Sequence, residues 1–353
     1  GDKIKKSKDK ERWEALQKRL AAHDRERPVP PRALTVTDVG PVAAPTVIPG
    51  DRSRTPIEPG FLTILDPEPA TIEPSATAPN STGRRSALAR WLTRPDHPLT
   101  TRVIVNRVWQ YHFGRGLVGT SSDFGKLGEK PSHPDLLDWL ATEFVDQGWS
   151  LKSLHRLIVT STAYRQSSRH PSPAKARELD PENRLIWRAP TRRLDVEPIR
   201  DAMLAVTGEV DRSVGGPAVE LNRPRRSVYT KIVRNTRDPL FEAFDAPDGS
   251  ITTPQRNATV TPVQALLMIN GKWTLGRARA LADRLRREAD TDEARVDLAY
   301  RLAFGRPPES TEPTEALTFL QDQAERASGQ TDGDALVDFC HALLNSSEFL
   351  YVD

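Results

Sequence analysis

Twelve of the chain's thirty prolines fall between Pro28 and Pro79, and a segment built that way cannot be a continuous helix. Each proline fixes its own backbone and removes a hydrogen-bond donor. The same segment carries Phe61-Leu62-Thr63-Ile64-Leu65, an apolar run that free linkers rarely contain. The expectation is an extended arm wrapped on a neighbouring body, with short strands at Ala33–Asp38 and Phe61–Leu65. Before the arm, residues 3–27 are dense in charge, with Trp13, Leu16 and Leu20 at helical spacing, so a short amphipathic helix is expected there. Gly1-Asp2-Lys3 shows neither an initiator Met nor a charged-then-apolar leader, which fits a processed chain or one piece of a longer protein.

Beyond Gly83 the periodicity becomes helical. Helices are expected at 85–92 and 100–113, the second ended by Gly114. A Gly-rich loop then fills 114–133, and helices follow at 134–147 and at 151–164, the latter capped by Ser150. Asp195 is placed to cap a helix at 196–207. Ser227–Val233 reads as a strand. Further helices are expected at 261–270, 274–287, 293–304 and 313–326. A final helix after these carries Leu336, Phe339, Cys340, Leu343 and Leu344 on one stripe. The fold class expected is mainly α: a helical body with a few short strands and an extended Pro-rich N-terminal arm. Its parts are a charged helix or helix stub (1–27), the arm (28–83) and the helical body (84–353), the last divisible into lobes at about 84–215 and 216–353.

Composition then narrows the chemistry. Among 353 residues, 37% are hydrophobic and 28% charged, which is polar but not the profile of a fully disordered chain. No apolar run reaches the roughly 20 residues a bilayer span needs. One cysteine, Cys340, excludes an internal disulfide and an all-cysteine metal site. It also excludes covalent haem attachment, which needs C-x-x-C-H, so no cofactor is expected in this chain and any haem c belongs to another domain or partner. The seven histidines, at 23, 97, 112, 133, 155, 170 and 341, include no H-x-H, H-x-x-x-H or H-E-x-x-H, and no metal site is expected.

Several local matches fail on context. Gly114-Arg115-Gly116-Leu117-Val118-Gly119 satisfies G-x-G-x-x-G, but a dinucleotide fingerprint needs a strand before it and a helix after it. Here a helix precedes and a loop follows, which suits a helix cap and a tight turn. Asp123-Phe124-Gly125 has no His-Arg-Asp loop before it. No G-x-S-x-G is present, and Cys340 stands mid-stripe, where an inert core thiol is expected. Glu197 and Asp201 at i, i+4 are the weak catalytic candidates, since paired carboxylates can divide acid and base work. Arg193 and Arg200 beside them favour an ion-pair cluster instead.

Arginine is the compositional outlier, at 39 residues against 12 lysines. Its planar fork suits carboxylate, sulfate and phosphate. Arg184, Arg188, Arg192 and Arg193 surround Trp187, and Arg223, Arg225, Arg226, Arg234 and Arg237 surround Tyr229. Arginine interleaved with aromatics can hold nucleic acid or acidic glycans. The 51 basic and 48 acidic residues nearly cancel, which argues against a nucleic-acid partner. The candidate binding residues are Asn106, Arg107, Trp109, His112 and Asp123 in the first helical half, with Arg193, Arg234, Arg256 and Asn257 in the second.

Several stretches together carry a family resemblance. They are Asn106-Arg107-Val108-Trp109-Gln110-Tyr111-His112-Phe113-Gly114-Arg115-Gly116-Leu117-Val118, Asp123-Phe124-Gly125, His133-Pro134-Asp135-Leu136-Leu137-Asp138-Trp139-Leu140-Ala141 and Gly148-Trp149-Ser150-Leu151-Lys152. Tyr164-Arg165-Gln166-Ser167, Arg192-Arg193-Leu194-Asp195, Arg256-Asn257, Thr261-Pro262-Val263-Gln264-Ala265-Leu266, Ala303-Phe304-Gly305-Arg306-Pro307 and the ending from Asn345 to Val352 continue it. Over residues 84–353 the chain resembles the planctomycete-specific C-terminal domain of unknown function. That domain is found in large cell-envelope proteins that often carry a haem c domain. The resemblance implies a helical module in the periplasm or cell envelope, partnered by a haem c-bearing domain or protein. It supplies no catalytic residues. Two functions are therefore expected of the chain: a non-catalytic interaction or scaffold module, or alternatively the binding or processing of an acidic (sulfated or carboxylated) polysaccharide through arginine, tryptophan and carboxylate side chains.

Overall fold

The computed structural model describes residues 7–23, 35–74, 77–234, 236–327 and 334–352. The chain divides into two compact units, Gly1–Arg94 and Pro95–Asp353.

The first unit contains α1 (Ser7–Ala22), the Pro-rich segment and α2 (Arg84–Leu92). Trp13, Leu16 and Leu20 of α1 are exposed. The arm is tied down by side chains and not by strands. Asp38 accepts from the Ser81 hydroxyl at 2.8 Å and from the Thr82 amide at 2.7 Å. Arg85 donates to the Val36 carbonyl at 2.6 Å and to Asp38 at 3.2 Å. Those donors hold residues 35–38 without a strand partner, so the strand expected at Ala33–Asp38 is not formed over 35–38; residues 33 and 34 lie outside the described residues. The strand expected at Phe61–Leu65 is a turn instead: the amides of Leu65 and Asp66 both donate to the Leu62 carbonyl, at 2.8 and 2.9 Å. Phe61 stacks on Trp91 of α2 at 4.7 Å, and Asp66 takes the Trp91 indole N–H at 3.0 Å and Arg94 at 2.8 Å. Tertiary contacts to α2 outweigh the local strand preference. Gly83 precedes α2 with φ +75°, and a Cβ there would stand 2.3 Å from the Glu73 carbonyl oxygen, so only glycine fits.

The second unit is helical, and the fold is mainly α, as expected. In order it holds α3 (Thr100–Phe113), α4 (Pro134–Asp146), α5 (Leu151–Thr160), α6 (Pro173–Leu179), β1 (Arg192–Arg193), α7 (Val196–Val206), α8 (Pro239–Ala243), α9 (Pro262–Asn270), α10 (Lys272–Glu288), α11 (Asp292–Phe304), α12 (Glu312–Ala327), α13 (Ala335–Asn345), α14 (Ser347–Leu350) and β2 (Tyr351–Val352). Proline stands at the first turn of α4, α6, α8 and α9, where its missing N–H is no loss. Ser150, Thr261, Thr291 and Asp334 cap their helices through side-chain oxygens, each contributing about 1 kcal/mol. Gly114 and Gly305, at φ +80° and +72°, end α3 and α11. The strand expected at Ser227–Val233 is a 3-10 turn at Ser227–Tyr229. The Ser227 amide and hydroxyl both donate to Asp201 at 2.7 Å, which turns the chain where a strand would have run straight.

Two apolar clusters fill this unit. One gathers Val105, Trp109, Phe113, Leu140, Phe144, Leu154 and Ile158 from α3, α4 and α5. The other joins α7 to the C-terminal helices through Met203, Leu281, Leu285, Cys340 and Leu344. The chain passes from one to the other between Ile186 and Leu194. Here β1 pairs antiparallel with β2, Arg192 facing Val352 and Arg193 facing Tyr351. The C-terminal residues thereby fix the backbone that carries those two arginines.

Candidate functional site

The passage between the two clusters opens into a cleft of about 760 Å³. Its walls come from the end of α3 and the following loop, from the loop 182–193, and from a strap at 247–258. Each wall is held by polar contacts that the sequence supplies far apart. Asn106 is fully buried and clamps the loop after α3: its amide donates to the Val118 carbonyl at 3.0 Å and accepts from the Val118 N–H at 2.8 Å. Gly116 packs so closely on Asn106 that a Cβ would lie 2.6 Å from its side-chain nitrogen. Gln110 reaches the strap at the Pro254 carbonyl, 3.2 Å away, and takes the Ser121 hydroxyl at 2.6 Å.

The loop 180–188 is organised by its own acid and amide. The Asp180 carboxylate accepts the amides of Arg184 at 2.9 Å and Leu185 at 2.7 Å, and its carbonyl accepts the Trp187 indole N–H at 2.8 Å. Asn183, at φ +55°, holds the carbonyl and amide of Arg188 at 2.9 and 3.3 Å.

Six arginines line the cleft, Arg115, Arg184, Arg188, Arg192, Arg193 and Arg256, against two carboxylates, Glu182 and Asp195. Arg193 donates to the Thr259 carbonyl at 2.6 Å and to the Gln264 side chain. Arg192 donates to the Tyr111 carbonyl at 3.0 Å. Arg256 makes a two-pronged pair with Glu197, at 2.7 and 2.9 Å, and stands 3.6 Å from Asp195. Burial opposes the charge on Glu197, but the Arg256 bonds prevail and hold its carboxyl below the usual range.

A second, more open cleft of about 960 Å³ lies on the other side of Arg256. It is charge-balanced, with Asp195, Glu197 and Asp201 against Arg212, Arg226 and Arg256. Glu197 and Asp201 share this face of α7, as their spacing requires. Both are engaged: Glu197 by Arg256, Asp201 by Ser227 and, at 3.4 Å, by Arg200.

The structure sorts the remaining candidates. Trp109 lines the main cleft while stacking on Phe113 at 4.2 Å. Arg193 lines that cleft and Arg256 lines both. Arg107, Arg234 and Asn257 line neither cleft, and the latter two are exposed. Asp123 closes its own turn on the Gly125 amide at 2.8 Å. His112 flanks the main cleft between Tyr111 and Phe113, its Nε2 2.8 Å from Nδ1 of His155. Burial first, then His155 and Arg192, push its pKa down.

Tyr111 was not singled out by the sequence, and Arg200, expected only as an ion-pair partner beside Glu197 and Asp201, does more than that. Tyr111, 67% exposed, presents a ring at the main cleft, and nothing in its helical spacing marked it. Arg200 is 1% exposed and donates to the carbonyls of Leu221, Arg223 and Arg225 at 2.7, 2.6 and 2.8 Å and to the Ser227 hydroxyl at 3.1 Å. The signal available was its place on the apolar stripe of α7 between Ile199 and Met203.

Among the described residues no helix is long and apolar enough to cross a membrane. Residues 84–320 match the model of the PSD1 family, described as a protein of unknown function (DUF1553), and the chain belongs to that family. No curated protein and no solved structure matches it.

Proposed function

We propose that this member of the PSD1 family is a binding module for acidic polysaccharide, taking a sulfated or carboxylated chain in the 760 Å³ cleft. One observation carries the reading: six arginines face two carboxylates in a single concave site. Guanidinium groups pair with carboxylate and sulfate through two parallel hydrogen bonds. The exposed Tyr111 ring supplies an apolar face against which a sugar ring can lie. Because Glu197 and Asp201 are both engaged by protein groups, the proposal is recognition and not cleavage.

The resemblance of residues 84–353 extends this proposal to a setting. The module would serve as an interaction or scaffold part of a planctomycete cell-envelope protein, beside a haem c-bearing domain or partner. No haem c attachment motif is available on a chain with one cysteine.

The test is binding of the purified chain to dextran sulfate, polygalacturonate, neutral dextran and single-stranded DNA, from about 50 to about 500 mM salt. The expected result is salt-sensitive binding to one or both acidic glycans, none to neutral dextran, and no preference for DNA. Equal binding to DNA at every salt concentration, or no binding to either acidic glycan, overturns the reading.

A further inference from the structure

The six cleft arginines differ in what already satisfies them. Arg115 is paired with Glu129 at 2.7 Å and Glu182 at 3.3 Å, and Arg184 stands 3.8 Å from Glu129. Arg256 is held by Glu197, Arg193 by Gln264 and Thr259, and Arg192 by the Tyr111 carbonyl. Arg188 alone of the six has a guanidinium with no hydrogen bond or ion pair to any described residue. Its Nε is buried without a partner, and its guanidinium lies over the Trp187 ring at 5.2 Å.

Its backbone, by contrast, is fixed at both polar atoms by the Asn183 side chain, and Trp187 is fixed through its indole N–H. A cation held in place by backbone clamps and an aromatic face, yet left without an acceptor among the described residues, is preorganised for a ligand that brings one. The two terminal Nη atoms are the donors left for that ligand, and together they fit the paired oxygens of a carboxylate or sulfate.

We propose that Arg188 is the specificity-determining anchor of the cleft, receiving one oxyanion of the bound saccharide through its two terminal nitrogens while Trp187 holds the guanidinium plane. The proposal rests on the reading of the cleft as a site for acidic saccharides. It further requires that lysine cannot replace Arg188, because an ammonium offers no planar fork and stacks differently on the ring.

The experiment is isothermal titration of the full chain with a galacturonate tetrasaccharide and, separately, with a dextran sulfate oligosaccharide. The variants are Arg188→Ala, Arg188→Lys, Arg192→Ala and the off-cleft control Arg234→Ala. Thermal unfolding is recorded for each. Arg188→Ala should unfold like the wild type, since the side chain makes no hydrogen bond to any described residue. It should lose roughly 10- to 100-fold in affinity for the matching oxyanion, the range set by hydrogen bonds to a charged group. Arg188→Lys should recover little of that loss, and Arg234→Ala should change affinity less than about twofold, as an exposed charge off the site does. Whichever saccharide shows the larger loss identifies the oxyanion. Wild-type binding that survives Arg188→Ala but falls with Arg192→Ala overturns the anchor and leaves the cleft reading intact. Full rescue by lysine overturns the requirement for the fork. No wild-type binding to either saccharide overturns both.

Discussion

Replacing Arg200 with methionine should destabilise the protein more than any exposed arginine substitution can. The side chain sits on α7 at 1% exposure, and its two terminal nitrogens serve three carbonyls, at 221, 223 and 225, and the Ser227 hydroxyl. Methionine fills comparable length but offers no donor. Each acceptor left unsatisfied in a buried place costs about 1–3 kcal/mol. Some of the four can turn to water, because the segment around them is largely exposed, so the sum is smaller than four full penalties. The expectation is about 3–5 kcal/mol, the range for breaking a buried charged network. That is a large share of a typical stability of about 5–15 kcal/mol. Arg225 depends on the same segment: it donates to the Pro217 carbonyl at 3.0 Å and stacks on Tyr229 at 4.0 Å. Local release of residues 211–230 is therefore expected before global unfolding. Urea denaturation gives the first number, and limited trypsin digestion gives the second, since the bonds after Arg212, Arg225 and Arg226 become cleavable as the segment opens. Arg212→Ala, at an exposed site, is the control and should stay within about 0.5 kcal/mol. A loss below about 1 kcal/mol for Arg200→Met, with trypsin sensitivity unchanged, would show that the carbonyls at 221, 223 and 225 do not depend on this guanidinium.

Three further outcomes are expected. Cys340 is fully buried and its thiol is pushed up to about 12 by burial, so a disulfide reagent at pH 8 should label it only as fast as the protein unfolds; rapid native labelling contradicts this burial. Glu197 is held below the ordinary glutamate value of about 4.3 because its bonds to Arg256 outweigh burial, so the stability it contributes is present above that value and lost as pH falls through its folded pKa. Glu197→Gln should cost about 1 kcal/mol at pH 7 for a pair that remains partly exposed, and the difference from the wild type should shrink in acid denaturation curves. His112 is pushed below the usual histidine value by burial, His155 and Arg192; an anion settling on Arg192 removes part of that pressure and the protein takes up a proton. Affinity for an acidic glycan should then rise as pH falls from 7 toward 5.5, by at most tenfold per unit for one proton, and titrations in buffers of different ionisation enthalpy should register the uptake, which His112→Gln abolishes.

What the sequence disclosed and what it withheld divide along the range of the interactions. Helix ends are set within a few residues, so the stops at Gly114 and Gly305 and the cap at Ser150 were legible. The expected strands at 61–65 and 227–233 were misread because side chains from elsewhere capture those segments: Trp91 takes Phe61, and Asp201 takes Ser227. The cluster of arginines around Trp187 was visible as composition. Its pairing was not, because the partners that satisfy Arg256 and Arg193 lie 59 and 71 positions away. Only the fold reveals that Arg188 has no such partner among the described residues, or that Arg234 and Asn257 stand outside both clefts.

Ligand is expected to occupy the arginine-lined cleft and not the balanced one beside it. Hydrogen-exchange mass spectrometry of the full chain, with and without a saturating dextran sulfate or galacturonate oligosaccharide, distinguishes the two sites. The expected result is slowed exchange confined to the three walls of the cleft, at 109–117, 182–193 and 247–258. Protection confined to 209–230 instead, around the second cleft, or unchanged exchange throughout despite measured binding, would contradict it.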